Sequence, residues 1–116
     1  MKVVVQRVGN ASVKVDGNIV GRIDKGLLLL VGFTEGDTLV DIDYCVKKIV
    51  NLRIFDDENG VMNRSVIDIG GHILSISQFT LYGDAKKGNR PSYIKALGGS
   101  EASPMYDQFN ELLREH

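Results

Sequence analysis

The chain has 116 residues, which predicts one small domain and leaves no room for a separate cofactor module. Its 43% hydrophobic and 25% charged residues are typical of a folded globular chain and exclude wholesale disorder. Lysine and arginine total 14 and aspartate and glutamate total 15, so the net charge of −1 excludes a protein that holds nucleic acid by bulk electrostatic attraction.

The single cysteine, Cys45, cannot form a disulfide within the chain and favours a reducing compartment. The longest apolar run, Leu27–Val31, is too short to cross a membrane. Polar Gln6 and Arg7 interrupt the N-terminal segment where a signal peptide would be continuously apolar. We therefore expect a cytoplasmic protein without a membrane partner.

The N-terminal part of the sequence predicts strands joined by tight turns. In chain order these strands are Val3–Val8, Ser12–Asp16, Ile19–Ile23 and Leu27–Phe33. The pair Asp16-Gly17 is a strong hairpin signal. Because Leu27–Phe33 is apolar throughout, it predicts a strand that is buried on both faces.

The clearest predicted helix follows. Thr38 and Asp41 form a capping-box pattern. Apolar side chains then recur at helical spacing, at Leu39, Ile42, Val46, Ile49 and Val50.

The remaining sequence predicts shorter elements and a second helix. In chain order they are a strand over Asn51–Phe55, a turn over Asp56–Gly60, a short extended piece over Val66–Ile69, a strand over Ile73–Phe79, a polar loop over Gly83–Pro91 and a helix over Ser103–Arg114. The pattern favours an α+β domain with a barrel-like curled β-sheet and two outer helices.

A metal site is not predicted, because the ligands are too few. The histidines are His72 and the last residue, His116, and we expect no metal and no cofactor. Cys45 falls between Ile42 and Val46 on the apolar side of the first helix, which predicts a core residue rather than a nucleophile.

A serine hydrolase arrangement can be drawn but has weak support. Ser77 or Thr80 could combine with His72 and with Asp68 or Asp84. Neither hydroxyl lies in a nucleophile-elbow context, and a solvent-facing His72 is the simpler interpretation.

The segment Ser77–Tyr82 is more unusual, because small hydroxyls, an amide and an aromatic ring lie close together where a strand ends. Such residues can line the mouth of a pocket, and backbone N–H groups leaving the strand could face a ligand oxygen. The alternative is an ordinary strand end.

A basic patch follows this segment and consists of Lys86, Lys87 and Arg90. These side chains belong either to a solvated loop or to a site that contacts phosphate.

Several segments of the sequence resemble those of one known protein family. They are VVVQRV, NLRIFDDENGVMNRSV, SQFTLYGD (Ser77–Asp84) and KGNRPSY (Lys87–Tyr93). Over essentially its whole length the chain resembles the D-aminoacyl-tRNA deacylases, also called D-tyrosyl-tRNA deacylases. The resemblance implies a cytoplasmic homodimer with a β-barrel-like fold, which hydrolyses the ester between a D-amino acid, or glycine, and the 3′ end of tRNA. It implies no cofactor and no DNA partner.

The resemblance also implies site residues. Ser77, Gln78, Phe79 and Thr80 would form the catalytic segment, and backbone N–H groups around Phe79 and Thr80 would hold the developing oxyanion. The family is better described as RNA-assisted, through the terminal ribose 2′-hydroxyl, than as using Thr80 as a nucleophile. The implied substrate-binding residues are Arg7, Ala102, Lys86, Lys87 and Arg90.

The sequence departs from the family in one respect, because it contains no Gly-Pro dipeptide. The family motif Asn-x-Gly-Pro-x-Thr lies near the C-terminus, and its cis peptide excludes L-amino acids from the partner's site. We therefore expect one deacylase-like domain, 1–116, that is C-terminally short and lacks the last strands. The alternative function is a truncated, non-catalytic remnant that binds aminoacyl-tRNA ends or only self-associates.

Overall fold

The computed structural model describes all 116 residues, as seven strands, two α-helices and one 3₁₀ helix. The strands are β1 (Lys2–Val8), β2 (Ala11–Val15), β3 (Asn18–Ile23), β4 (Gly26–Gly32), β5 (Phe55–Asp56), β6 (Met62–Arg64) and β7 (His72–Ser77). The α-helices are α1 (Leu39–Asn51) and α2 (Gly99–Arg114), and the 3₁₀ helix spans Phe79–Tyr82. Neither α-helix combines the length and apolar character needed to cross a membrane.

The central sheet has the order β1-β4-β7, so the most apolar strand lies in the middle. Strand β4 is antiparallel to β1 and parallel to β7. Its side chains Leu27, Leu29 and Val31 are at most 1% exposed, whereas Leu28 and Leu30 on the other face are half-buried. The predicted buried strand is therefore confirmed for one face, and the other face keeps some contact with solvent.

Both α-helices pack against the buried face of this sheet. Helix α1 begins as predicted, because the Thr38 N–H donates to Asp41 Oδ2 at 2.8 Å and the Asp41 N–H donates back to the Thr38 carbonyl. Helix α2 contributes Phe109, which is fully buried. The common core consists of Leu27, Leu29, Val31, Phe33, Ile42, Val46, Ile49, Phe55, Val66 and Phe109.

The other strands form two separate hairpins, β2-β3 and β5-β6. The predicted Asp16-Gly17 turn is confirmed, since both residues have positive φ, 52° and 81°, as a tight hairpin turn requires. The α+β class is thus confirmed with two helices. The strands divide into sheets of three, two and two, and a closed barrel is not found.

Two extended segments were predicted wrongly. Over Asn51–Phe55, the helix continues to Asn51 and only Phe55 enters a strand, because the Leu52 N–H still donates to the Ile49 carbonyl in a last helical turn. Over Val66–Ile69 the chain forms a turn. The Ser65 N–H donates to Asp68 Oδ2 at 2.9 Å and the Asp68 N–H donates to Ser65 Oγ at 3.1 Å, which closes that turn from both ends.

The boundaries of two C-terminal elements also differ from prediction. Strand β7 ends at Ser77, and Phe79 belongs to the 3₁₀ helix. Helix α2 begins at Gly99 rather than Ser103, so Pro104 lies inside it. Gly98 and Gly99, at the start of this turn, have low helix propensity, which concealed it. The Ala102 N–H donates to the Gly98 carbonyl at 2.9 Å and holds the turn in place.

Candidate active site at the end of strand β7

A cleft of about 650 Å³ opens between the end of β7, the 3₁₀ helix and the first turns of α2. Its lining is mainly small or aromatic: Ser77, Phe79, Tyr93, Ala96, Leu97, Gly98, Gly99, Ala102, Ser103 and Tyr106. A volume of this order accommodates a small organic group, and the apolar walls with few polar atoms are typical of a ligand pocket. The structure therefore brings Ser77, Phe79 and Ala102 to one cleft.

Two backbone donors beside the cleft are left without partners. The Gln78 N–H donates to the Val31 carbonyl at 2.7 Å and is the last bond between β7 and its neighbour. The chain then turns into the 3₁₀ helix, so the N–H groups of Phe79 and Thr80 form no hydrogen bond within the chain. Unpaired backbone N–H groups are strong donors, so this pair can bind a negatively charged oxygen.

The side-chain hydroxyl of Thr80 has a partner that cannot activate it. Gln78 Nε2 donates to Thr80 Oγ1. An amide NH₂ group is a donor and takes no proton from a hydroxyl. The Thr80 hydroxyl forms no hydrogen bond with a histidine or a carboxylate, so the arrangement lacks the base that a threonine nucleophile requires.

The Ser-His-Asp arrangement that the sequence allowed is absent. His72 is exposed at the start of β7, paired with Gly26, whereas Ser77 is paired with Val31 at the other end of the strand. Asp68 is bound in its own turn with Ser65. Asp84 accepts a hydrogen bond from the Lys86 N–H at 2.9 Å.

An aromatic pair forms one side of the cleft. The rings of Phe79 and Tyr93 meet edge to face, with centroids 5.4 Å apart and an interplanar angle of 71°. Backbone hydrogen bonds in both directions between Asp84 and Ser92, each 2.7 Å, close the base of the loop that precedes Tyr93. The same loop carries the predicted basic residues Lys86, Lys87 and Arg90, all exposed. The basic patch therefore lies on the loop next to the cleft.

The opposite wall comes from α2. Ala102 and Tyr106 are four residues apart, so they lie on the same face of the helix. The Tyr106 hydroxyl donates to the Ser75 carbonyl at 2.8 Å and accepts from Ser75 Oγ at 3.1 Å. The helix is thereby attached to β7 two residues before Ser77. The methyl side chain of Ala102 leaves the space between the walls open.

Arg7 lies elsewhere in the single chain. It is paired with Leu27, near the end of the central sheet opposite Ser77. Its Nη1 donates to the Ile54 carbonyl at 2.8 Å and lies 3.5 Å from a carboxylate oxygen of Asp56. One copy of the chain does not bring Arg7 to the cleft.

The sequence did not single out Tyr93 and Tyr106 as site residues. Tyr106 could have been found from its helical spacing to Ala102. Tyr93 lies in the segment KGNRPSY, but its contact with Phe79 spans a loop whose path has no local signal.

Cys45 is half-buried and packs against the core, as predicted. Burial raises the pKa of its thiol, which disfavours the reactive thiolate. No group of three histidine, cysteine, aspartate or glutamate side chains comes together in a way that could hold a metal ion.

Comparison with known proteins identifies the family. The sequence model of the family described as D-Tyr-tRNA(Tyr) deacylase matches residues 4–116. A D-aminoacyl-tRNA deacylase of Clostridium acetobutylicum is 55% identical over 115 residues, which are 99% of this chain and 77% of that protein. One of Bacillus velezensis is 57% identical and is matched over 78% of its length. The chain belongs to the D-Tyr-tRNA(Tyr) deacylase family.

Solved structures share the fold. A c-Myc DNA Unwinding Element Binding Protein superposes with a TM-score of 0.94 at 42% identity, over 99% of this chain and 77% of that one. A structure described as a probable eukaryotic D-amino acid tRNA deacylase superposes with a TM-score of 0.80 at 19% identity, over 97% of this chain and 66% of that one. At 19% identity, the similarity to the second structure shows only that the fold is shared.

Proposed function

We propose that this protein hydrolyses the ester bond between a D-amino acid, or glycine, and the 3′ end of tRNA, which releases the free amino acid and tRNA as a proofreading step in translation. One observation carries the proposal. The N–H groups of Phe79 and Thr80 are unpaired beside an apolar cleft, in a chain 55% identical to a D-aminoacyl-tRNA deacylase. The non-catalytic alternative is not favoured, because curated relatives of this similarity bear an enzyme's name.

The chemistry needs a site for negative charge more than a nucleophilic side chain. When water attacks the ester carbon, the carbonyl oxygen becomes an oxyanion, and the bond to the ribose oxygen then breaks. The Phe79 and Thr80 N–H groups would hold that oxyanion. One such donor is worth about 10²–10³ in rate. Since Thr80 has no base, the terminal ribose 2′-hydroxyl of the tRNA would assist the reaction instead.

Substrate binding would be divided between the cleft and the basic loop. Ser77 and Ala102 border the space for the amino acid, and their contact with the cleft supports this assignment. Lys86, Lys87 and Arg90 would meet backbone phosphates near the tRNA end, since phosphate contacts position a nucleic acid without reading its sequence.

The homodimer and the cytoplasmic location belong to the same proposal. Arg7 lies away from the cleft of its own chain, so a role in substrate selection would require a second copy. Aminoacyl-tRNA is consumed in the cytoplasm, which is where the proofreading would take place.

A deacylation assay with D-tyrosyl-tRNA and L-tyrosyl-tRNA tests the activity. We expect hydrolysis of the D-ester well above the spontaneous rate. If folded protein hydrolyses neither ester, the proposal fails. Tight binding of a non-hydrolysable D-aminoacyl-adenosine analogue without turnover would support the non-catalytic alternative.

A matched pair of variants tests the backbone donor. Phe79→Pro removes both the ring and the N–H, and proline suits the first position of a helix, which Phe79 occupies. Phe79→Ala removes only the ring. We expect Phe79→Pro to be slower than Phe79→Ala by about 10²–10³. Equal rates in the two folded variants would contradict the role of this N–H.

A further inference from the structure

We propose that Tyr106 is a positioning residue, whose hydroxyl sets the width of the cleft by fixing helix α2 against strand β7. The proposal rests on the proposed function, because it concerns the same cleft. It adds a residue that neither forms the oxyanion site nor belongs to the basic loop.

The geometry is a two-bond clamp between elements far apart in sequence. The Tyr106 hydroxyl donates to the Ser75 carbonyl at 2.8 Å and accepts from Ser75 Oγ at 3.1 Å. Both residues are half-buried. These are the only side-chain hydrogen bonds between α2 and the rest of the chain. The polar attachment of the helix to the sheet therefore depends on one hydroxyl.

The clamp joins the two walls of the cleft directly. Ser75 is two residues before Ser77 on β7, and Ala102 lies one helical turn before Tyr106. If the helix shifts at Tyr106, Ala102 moves with it. The distance between the two walls of the cleft, where the amino acid would bind, then changes.

The most deeply packed residue of the helix lies away from the cleft. Phe109 is fully buried, but it is the only buried residue of α2 and lies on the side of Tyr106 away from the cleft. The first turn, from Gly99 to Ala102, contains no buried side chain. Ala102 and Met105 are only half-buried against the core, and the Leu97 N–H donates to the Phe33 carbonyl at 2.9 Å just before the helix begins. Within the helix, the clamp is therefore the polar attachment that adds to this partial packing beside the cleft.

The test compares Tyr106→Phe with Ser75→Ala in D-tyrosyl-tRNA hydrolysis. Tyr106→Phe keeps the ring and removes both bonds, and we expect kcat to fall about tenfold, because a displacement of roughly 1 Å costs up to about 10² in rate. KM should change less than about twofold, since ring and wall contacts remain. Ser75→Ala keeps the hydrogen bond from the Tyr106 hydroxyl to the backbone carbonyl of residue 75, so its kcat should fall only about threefold.

Tyr44→Phe removes a hydroxyl from an exposed side chain of α1 and is the matched control, whose kcat should be unchanged.

A second readout does not require catalysis. Amide hydrogen exchange of residues 101–103, whose N–H groups are the first in the helix to be hydrogen-bonded, should be faster in Tyr106→Phe than in the wild-type chain, whereas exchange in α1 should be unchanged. Unchanged exchange in 101–103 overturns the proposal, as does an unchanged kcat in an active protein. If Tyr106→Phe does not fold, Ser75→Ala decides by the same two measurements. An inactive wild-type protein with the expected exchange pattern would refute the proposed function and leave the clamp supported.

Discussion

The carbonyl oxygen of Gln78 occupies the space where a side chain on residue 32 would lie. A β-carbon built on Gly32 comes within 2.9 Å of that oxygen and 3.3 Å of the Leu81 β-carbon. Gly32 ends the central strand β4, and Gln78 precedes the two unpaired N–H groups. The absence of a side chain at residue 32 therefore allows the segment that carries the oxyanion donors to pack against the core.

Gly32→Ala should damage both activity and stability. We expect a loss of about 1–3 kcal/mol, because backbone rather than a flexible side chain must move. The deacylation rate should fall by more than tenfold, since the same movement displaces Phe79. Gly9→Ala, with no atom within 4 Å of its new β-carbon, should be nearly neutral. Thermal unfolding and single-turnover rates of both variants check this, and a fully active Gly32→Ala would contradict the packing argument.

Thr80→Ala should retain most of the activity, within about threefold of the wild-type kcat, if the backbone N–H groups stabilise the reaction. The alanine variant keeps the N–H and loses only the hydroxyl that accepts from Gln78. Thr80→Ser is the control that keeps a hydroxyl. Should alanine abolish hydrolysis while serine preserves it, the threonine would be the nucleophile.

Ala102→Leu should obstruct the cleft, because the larger side chain projects from α2 among the lining residues. Release of D-tyrosine should slow by at least about tenfold, which corresponds to about 1.4 kcal/mol. Release of glycine should be less affected, since it needs less space. Gln108→Leu introduces the same leucine side chain on an exposed part of the same helix, without a large gain in volume, and should leave both rates unchanged. Identical kinetics for Ala102→Leu would refute its placement in the pocket.

Asp68→Asn should lower Tm at neutral pH. The Ser65 backbone N–H, and then the Ser65 hydroxyl, hold the pKa of the Asp68 carboxyl below its usual value. A lowered folded-state pKa adds stability above the unfolded-state value of about 3.9, and this stability is lost as pH falls through the folded-state pKa. The difference in Tm between wild type and variant should therefore close as pH falls below about 4. A difference in Tm that stays constant as pH falls would refute the mechanism.

Local sequence patterns predicted the elements whose signals are complete within a few residues. The capping box at Thr38, the Asp16-Gly17 turn and the apolar run of β4 each depend on neighbours in the chain, and the structure confirms the first two and a strand over the third that is buried on one face. The Ser65–Asp68 turn is also local. It was missed because the apolar residues between Ser65 and Asp68 suggested an extended segment, and the sequence does not display the two reciprocal hydrogen bonds that close the turn.

The segment Ser77–Thr80 was singled out by its own residue types and by the family resemblance, so the sequence alone determined where to look for the site. Only the tertiary structure decided that Ala102 and Tyr106 from α2 and Tyr93 from beyond the basic loop face that segment, whereas Arg7 lies at the far end of the sheet. The physical reason is that strand pairing and helix docking depend on burial shared by distant parts of the chain, whereas periodicity and turn signals report only on neighbouring residues.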